Sequence, residues 1–183
     1  LLLLFPFEEK YFAGTGLKTT FVGHPLAEGF IGDADGAQFR RAHDIPADEA
    51  LLAILPGSRH SETSRHLPIF GETVNALAAR NILRWVVIPA VPALRTEIAA
   101  AAKNWSVDVV LVDGSVREDK YAALAASTGA LTSSGTATLE LAIAGVPMVV
   151  AYRANPVTVA VARRVVRVQH IALANIMAGR RAA

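Results

Sequence analysis

Short, largely apolar runs recur between residues 51 and 151, and a longer stretch of helical character separates each run from the next. The runs share an apolar pattern on both faces: Leu51–Leu55, Trp85–Ile88, Val107–Val112, Ala130–Thr132 and Met148–Ala151. Strands of this kind are typical of a parallel sheet that is covered by helices. Five successive strand–helix units therefore predict an α/β fold with a doubly wound parallel sheet.

The stretches between these runs predict four helices. They extend from the loop after the first strand to about Arg80, from Ala93 to Lys103, near Arg117–Ala126, and from Gly135 to Ala144. Gly145 and Pro147 follow the last of them, in the positions where glycine and proline end a helix.

The first 45 residues do not continue this rhythm. Residues 1–22 carry two short apolar runs around a short helical stretch, which predicts the last βαβ unit of a preceding Rossmann-like domain. Residues 23–45, whose first part is rich in Gly, Pro and Asp, predict a linker. A Rossmann-like domain is then predicted over residues 46–183. Because the sequence opens on Leu1 without a methionine, we expect a fragment of a longer protein.

Composition and missing motifs narrow the function classes. With 52% hydrophobic residues the chain can bury a core, and with no cysteine it has neither a disulfide framework nor a thiolate metal site. The five histidines show no metal-ligand spacing and are expected at the surface. Motifs of serine hydrolases, P-loop NTPases, NAD enzymes and nucleic-acid-binding modules are missing, and no run is long enough to span a membrane. Asp33-Ala34-Asp35 resembles an Asp-x-Asp metal site, but its place in the linker favours a turn or helix cap.

Two loops have the composition of a phosphate cradle. Pro56-Gly57-Ser58-Arg59 follows the first strand of the sheet, and Ser133-Ser134-Gly135-Thr136 follows the fourth. Each offers accessible backbone N–H groups, hydroxyl donors and a helix N-terminus, and Arg59 adds a guanidinium that suits phosphate oxygens. In open α/β sheets, ligands bind at the carboxyl ends of the strands, so both loops are predicted to face one ligand. A helix N-cap is the alternative for each loop alone.

Glu140 is a carboxylate inside an otherwise apolar helix. It lies four residues after Thr136, on the same helix face, and its side chain leans back toward the loop. There it can accept hydrogen bonds from a ribose diol while the loop holds phosphates. The alternative is an exposed carboxylate that interacts with the helix dipole, but the neighbours of Glu140 are apolar and leave little polar face.

The C-terminal part of the chain is basic. No Asp or Glu follows Glu140, whereas six arginines do: Arg153, Arg163, Arg164, Arg167, Arg180 and Arg181. Residues 156–168 predict an amphipathic helix, which either packs with an exposed arginine edge or lies on an anionic membrane surface.

Six motifs together resemble those of the lipid-A-disaccharide synthase family, inverting glycosyltransferases with two Rossmann-like domains. They are LFPFEEKYF from Leu4, FVGHPLAE from Phe21, LPGSR with Glu62, SSGTATLE from Ser133, GVPMVVAYR from Gly145 and ANIMAGR from Ala174. The resemblance covers nearly the whole chain. It departs from the family pattern at Ala174, where a proline is usual, and at Thr128, where an aspartate is usual.

The resemblance implies a donor-binding domain of the GT-B type, which holds the UDP part of a UDP-2,3-diacylglucosamine donor without a metal or other cofactor. The implied diphosphate ligands are Arg59, Gly57, Ser58, Ser134, Gly135 and Thr136; Glu140 would bind the ribose, and the turn at Gly114 would dock the uracil. Arg59 and Asn175 would have the catalytic roles. The acceptor would be 2,3-diacylglucosamine 1-phosphate, and the product a β-1,6-linked disaccharide.

The resemblance also implies a location and a limit on activity. A peripheral protein at the cytoplasmic face of the inner membrane of a Gram-negative bacterium is expected, with no nucleic-acid partner. Because the family's general base would lie before Leu1, we expect this chain alone to bind UDP weakly and to be inactive. Two alternatives stay open: another UDP-sugar enzyme, such as a UDP-N-acetylglucosamine epimerase or the peptidoglycan-precursor transferase, and a non-catalytic nucleotide-binding module.

Overall fold

A computed structural model describes residues 1–27 and 34–153 of the chain. Its main feature is a five-stranded, all-parallel sheet of strands β3 (Leu51–Leu55), β4 (Trp85–Ala90), β5 (Asp108–Asp113), β6 (Gly129–Thr132) and β7 (Met148–Val150). The strand order is β5-β4-β3-β6-β7. The chain thus builds outward from β3 in one direction and returns to its other side, which is the doubly wound arrangement predicted from the sequence.

The four helices that connect these strands lie close to the predicted positions. They are α3 (His60–Ala78), α4 (Arg95–Ala102), α5 (Arg117–Ala126) and α6 (Thr136–Ile143). The observed strands differ from the predicted ones by at most two residues at either end, because the apolar runs themselves mark the buried part of the sheet. Gly145 takes φ +68°, the left-handed conformation that ends a helix.

Apolar side chains fill both faces of the sheet. On one face Leu51, Ala53 and Leu55 of β3 pack with Tyr121 and Leu124 of α5. On the other face Ile54 packs with residues of the neighbouring strands and of α3 and α4, among them Phe70, Val74, Ile88 and Ile98. Alternate residues of one strand therefore serve two cores, which explains why β3 reads as a continuous apolar run.

Residues 1–27 include a second, two-stranded parallel sheet. Strand β1 (Leu2–Leu3) pairs in parallel with β2 (Thr20–Phe21), and the connection between them contains a 3-10 turn at Pro6–Glu8 and helix α1 (Glu9–Phe12). This is the βαβ connectivity predicted for the start of the chain.

Helix α2 (Gly36–Ala42) lies in the segment predicted as a linker. Asp35 caps its N-terminus by accepting a hydrogen bond from the Gln38 N–H at 2.8 Å. Phe39 of α2 is buried in the same core as β3 and α5. The buried Arg40 donates three hydrogen bonds to backbone carbonyls, from Nε to Ala126 at 2.9 Å and from Nη1 to Pro46 and Glu49 at 2.7 and 3.0 Å. These contacts attach residues 36–49 to the five-stranded sheet.

Candidate functional site

A cleft of about 440 Å³ lies at the carboxyl ends of the strands of the main sheet. Residues from the loops after β3, β4, β5 and β6 line it, together with one turn each of α5 and α6. The predicted site residues among them are Gly57, Ser58, Arg59, Gly114, Ser134, Gly135, Thr136 and Glu140. The structure therefore brings together, on one cleft, all but one of the predicted site residues; Asn175 lies outside the described part of the chain.

The two loops predicted as a phosphate cradle are neighbours because β3 and β6 pair in the sheet. Leu55 lies opposite Thr132, and the Ser133 N–H donates a hydrogen bond of 2.9 Å to the Leu55 carbonyl just where both strands end. Helices α3 and α6 begin directly after these loops. Two helix N-termini, each with partial positive charge, therefore open at the same edge of the sheet.

Both loops depend on a glycine at a conformation that other residues avoid. Gly57 takes φ +120° and Gly135 takes φ +135° with ψ −160°. Gly135 is the N-cap residue of α6. A side chain at either position would strain the backbone, so the sequence fixes the shape of each loop through its glycine.

Glu140 points into the cleft and is only 7% exposed. Its two carboxylate oxygens lie 2.6 and 2.7 Å from Nζ of Lys120 on α5, and the Tyr121 hydroxyl lies 3.5 Å from Oε1. Burial raises the pKa of Tyr121, and the negative charge of Glu140 raises it further. The sheltered Glu140 carboxylate thus has a lysine ammonium and a tyrosine hydroxyl beside it.

Arg59 and Glu62 form the second charge pair of the cleft. Arg59 Nη1 donates a hydrogen bond of 3.0 Å to Glu62 Oε1, and the Arg59 side chain is 76% exposed at the rim. The other oxygen of Glu62 accepts the Ser58 N–H at 3.0 Å. The guanidinium therefore stands at the mouth of the cleft, held by the first turn of α3.

The turn after β5 brings Gly114 to the cleft. The Gly114 N–H donates to the Ala90 carbonyl at 2.9 Å, which continues the pairing of β5 with β4. Asp113 closes the turn by accepting the Ser115 hydroxyl and backbone N–H at 2.6 and 2.8 Å. Both hydrogen bonds lower the pKa of Asp113, and the bond from the Ser115 hydroxyl has the larger effect. The turn is therefore rigid at the edge where the resemblance implies the base would dock.

The prediction that the histidines lie at the surface is wrong for His66, which is 1% exposed. Its Nδ1 lies 2.7 Å from the Pro56 carbonyl, and its Nε2 accepts the Arg153 N–H at 3.1 Å. Both ring nitrogens are used, since Nδ1–H donates and Nε2 accepts. His66 joins the loop after β3 to the chain after β7, a role that spacing along the sequence does not reveal.

No metal site emerges among residues 1–27 and 34–153, where no three His, Asp or Glu side chains gather closely enough to hold an ion. Asp35 of the Asp-x-Asp sequence caps helix α2, as predicted for a helix cap, and Asp33 lies outside the described residues. The arginines after Arg153 and the helix predicted over residues 156–168 also lie outside them. Over the same described ranges, every helix is too short or too polar to cross a bilayer.

Lys120 and Glu62 are cleft residues that the sequence analysis did not assign. Lys120 lies on α5 and Glu140 on α6, with strand β6 between them along the chain, so only the fold reveals the pair. For Glu62 a signal was present, because an acidic residue three positions after Arg59, in the first helical turn, can reach back to the loop.

Comparisons with known proteins identify the family of the chain. The family model described as lipid-A-disaccharide synthetase matches residues 1–183. The chain is 48% identical over 180 residues to the lipid-A-disaccharide synthase of Rhodospirillum centenum, an alignment that covers 98% of this chain and 44% of that protein. It is 42% identical to the enzyme of the same name from Gluconobacter oxydans, with 98% and 43% covered. The chain spans less than half the length of these curated relatives.

A solved structure supports the fold. The crystal structure of the glycosyl transferase family 9 protein from Veillonella parvula superposes with a TM-score of 0.53 at 14% identity, covering 66% of this chain and 35% of that one. At this identity the likeness shows the α/β architecture alone. The match of the family model over the whole sequence, and relatives at such high identity, show that the chain belongs to the lipid-A-disaccharide synthetase family.

Proposed function

We propose that this chain is the donor-binding part of a lipid-A-disaccharide synthase and holds the UDP portion of UDP-2,3-diacylglucosamine. The observation that carries the proposal is the cleft itself: two glycine-shaped loops joined by the Ser133–Leu55 hydrogen bond, with a sheltered carboxylate, Glu140, on the same cleft. The chemistry of these groups matches a diphosphate and a ribose diol.

The proposed reaction joins the donor sugar to the 6-hydroxyl of 2,3-diacylglucosamine 1-phosphate in a β-1,6 bond. The acceptor's 6-hydroxyl oxygen bonds to the anomeric carbon and gives up its proton to a general base, while the bond between the anomeric carbon and the diphosphate breaks and its electron pair leaves with UDP. Negative charge therefore grows on the diphosphate as the anomeric carbon becomes cationic. Preorganised donors aimed at that growing charge lower the barrier.

This chain supplies such donors without a metal. Arg59 and residues of both loops line the cleft, and helices α3 and α6 begin at these loops. Asn175 is proposed to complete the donor site. The glycines fix the backbone shape of both loops, so little backbone reorganisation is needed when the bond breaks.

The proposed setting is the cytoplasmic face of the inner membrane, where the acylated donor and acceptor are anchored by their chains. A peripheral protein could bind both lipids there. The six arginines from Arg153 onward favour contact with anionic lipid headgroups, since no carboxylate follows Glu140 in this sequence.

Calorimetric titration of the full-length protein with UDP, UMP and ADP tests the nucleotide assignment. We expect UDP to bind most tightly, because it alone has both the uracil and the diphosphate. Arg59→Ala should weaken UDP binding roughly tenfold, the loss of about one charge-assisted hydrogen bond, and leave the melting temperature unchanged. Equal affinity for UDP and ADP would contradict a uridine site.

An activity assay tests the reaction. The full-length protein should join the two diacylated sugars and release UDP, and Arg59→Ala should slow this step more than it raises the donor KM. Activity with UDP-N-acetylglucosamine alone, and none with diacylated sugars, would favour one of the other UDP-sugar enzymes.

A further inference from the structure

Glu62 places a negative charge in the loop that is proposed to receive the diphosphate. Its Oε2 accepts the Ser58 N–H and its Oε1 accepts Arg59 Nη1, both at 3.0 Å. These are two of the donors that the proposed function assigns to phosphate oxygens. The Glu62 side chain is 20% exposed, so the carboxylate is sheltered within the cleft.

The local sequence makes room for this carboxylate. A Cβ on Gly57 would lie 2.5 Å from Glu62 Oε2 and 2.6 Å from Glu62 Cβ, closer than atoms can approach. Gly57 therefore allows two things at once: the positive φ of the loop and the close approach of Glu62.

The charged side chains that line the cleft in the described part of the chain form two pairs. Arg59 pairs with Glu62, and Lys120 pairs with Glu140. Their formal charges cancel, so an arriving diphosphate meets no net positive charge from these four side chains. The diphosphate must either displace Glu62 from the Ser58 N–H and Arg59, or bind close to the Glu62 carboxylate.

We propose that Glu62 competes with the donor's diphosphate for the Ser58 N–H and Arg59. This proposal rests on the proposed function. Donor binding exchanges the Glu62 contacts for phosphate contacts, and the carboxylate takes them back when UDP leaves. Glu62 thus lowers the affinity of the site for UDP and keeps the product from occupying it.

The test is Glu62→Gln in the full-length protein. Glutamine keeps an oxygen that can accept the Ser58 N–H, but it has no charge to hold Arg59 or to repel phosphate. We expect UDP to bind about tenfold more tightly to this variant, since one repulsive charge is replaced by a neutral amide. Uridine, which has no phosphate, should bind equally to both proteins. UDP should also become a stronger product inhibitor.

Two controls separate this effect from other causes. Glu72→Gln removes the same charge from an exposed position on the same helix and should leave UDP affinity unchanged. Raising the salt concentration to about 0.5 M should shrink the difference between Glu62→Gln and the wild type, because salt screens charge repulsion.

Unchanged or weaker UDP binding by a Glu62→Gln protein with the wild-type melting temperature would overturn the proposal and leave Glu62 a loop-holding residue. If that variant does not fold, Glu62→Ala gives the answer, since it also removes the charge and should also tighten UDP binding; weaker binding there overturns the proposal. Failure of the proposed function looks different: the wild type itself would not prefer UDP over ADP.

Discussion

At the scale of single residues, the cleft is defined by how its charges are paired. Lys120 holds both oxygens of Glu140, and Glu62 holds Arg59. A ribose that bonds to Glu140 would therefore share the carboxylate with a lysine. Alanine at position 140 would leave Lys120 without its carboxylate partner. Glutamine is therefore the better substitution for testing the role of Glu140.

Glu140→Gln is expected to raise the Kd for UDP about tenfold, because an amide oxygen accepts hydroxyl bonds less strongly than a carboxylate. This loss of UDP affinity should depend on the 2′-hydroxyl of the ribose. The wild type should prefer UDP over 2′-deoxy-UDP, and the variant should discriminate less between them, as measured by calorimetry.

Glu118→Gln, an exposed position on α5, is the matched control and should bind both nucleotides as the wild type does. A Glu140→Gln protein that melts at a lower temperature while its UDP affinity stays the same would show that Glu140 serves only as the partner of Lys120.

At the scale of elements, α3 and α4 are joined beside the cleft by one carboxylate. Glu97 of α4 lies 2.6 Å from His60 Nδ1 and accepts the buried Thr63 hydroxyl at 2.8 Å. The hydrogen bond with His60, and to a lesser extent that with Thr63, lowers the pKa of Glu97. The start of α3, which follows the Pro56–Arg59 loop, is thereby linked to the start of α4.

This pairing predicts a pH dependence. Since the Glu97 pKa is lower in the folded protein than in the unfolded chain, its ionised form stabilises the fold. That contribution is fully present above the ordinary glutamate pKa of about 4.3 and is lost as the pH falls through the lowered value. Glu97→Gln should therefore flatten the fall in unfolding free energy between about pH 5 and pH 3.

Urea denaturation at a series of pH values measures this effect, with Glu72→Gln as the control for removing an exposed carboxylate from α3. Parallel curves for Glu97→Gln and the wild type over the acidic range would contradict a stabilising role for the ionised Glu97.

At the scale of the whole molecule, the contacts of Arg40 show which part of the N-terminal sequence packs with the main sheet. Its buried guanidinium donates hydrogen bonds to carbonyls at the end of α5 and before β3, so α2 is attached to the main sheet and its helices. We propose that the donor-binding domain begins near Asp35, earlier than residue 46, and that the linker is correspondingly shorter.

Arg40→Met keeps the apolar length of the side chain but leaves three carbonyls without their donor. It should lower the free energy of unfolding by about 2–4 kcal/mol. The neighbouring Arg41 is exposed, and its guanidinium lies 4.0 Å from the Asp35 carboxylate. Arg41→Met should therefore change stability by less than about 0.5 kcal/mol. Equal losses of unfolding free energy for Arg40→Met and Arg41→Met in denaturant melts would show that α2 does not unfold cooperatively with the main sheet.

The sequence was informative where a local pattern has one physical meaning. The apolar runs marked all five strands of the main sheet, because most positions of these strands pack against neighbouring elements, and glycine-containing loops after two strands marked the cleft. What the sequence did not reveal depends on contacts between distant residues. Lys120 meets Glu140 across twenty residues, His66 meets Arg153 across eighty-seven, and Arg40 meets Ala126 across eighty-six.

The strand order also bears on how the protein is made. The cleft needs β3 and β6 side by side, yet β4 and β5 are synthesised between them. A nascent chain arrested on the ribosome at Ser127 would contain the Pro56–Arg59 loop but would lack β6 and the loop that follows it. UDP added during translation should consequently protect such an arrested chain from protease no better than buffer does, and protection should start only after α6 has left the exit tunnel.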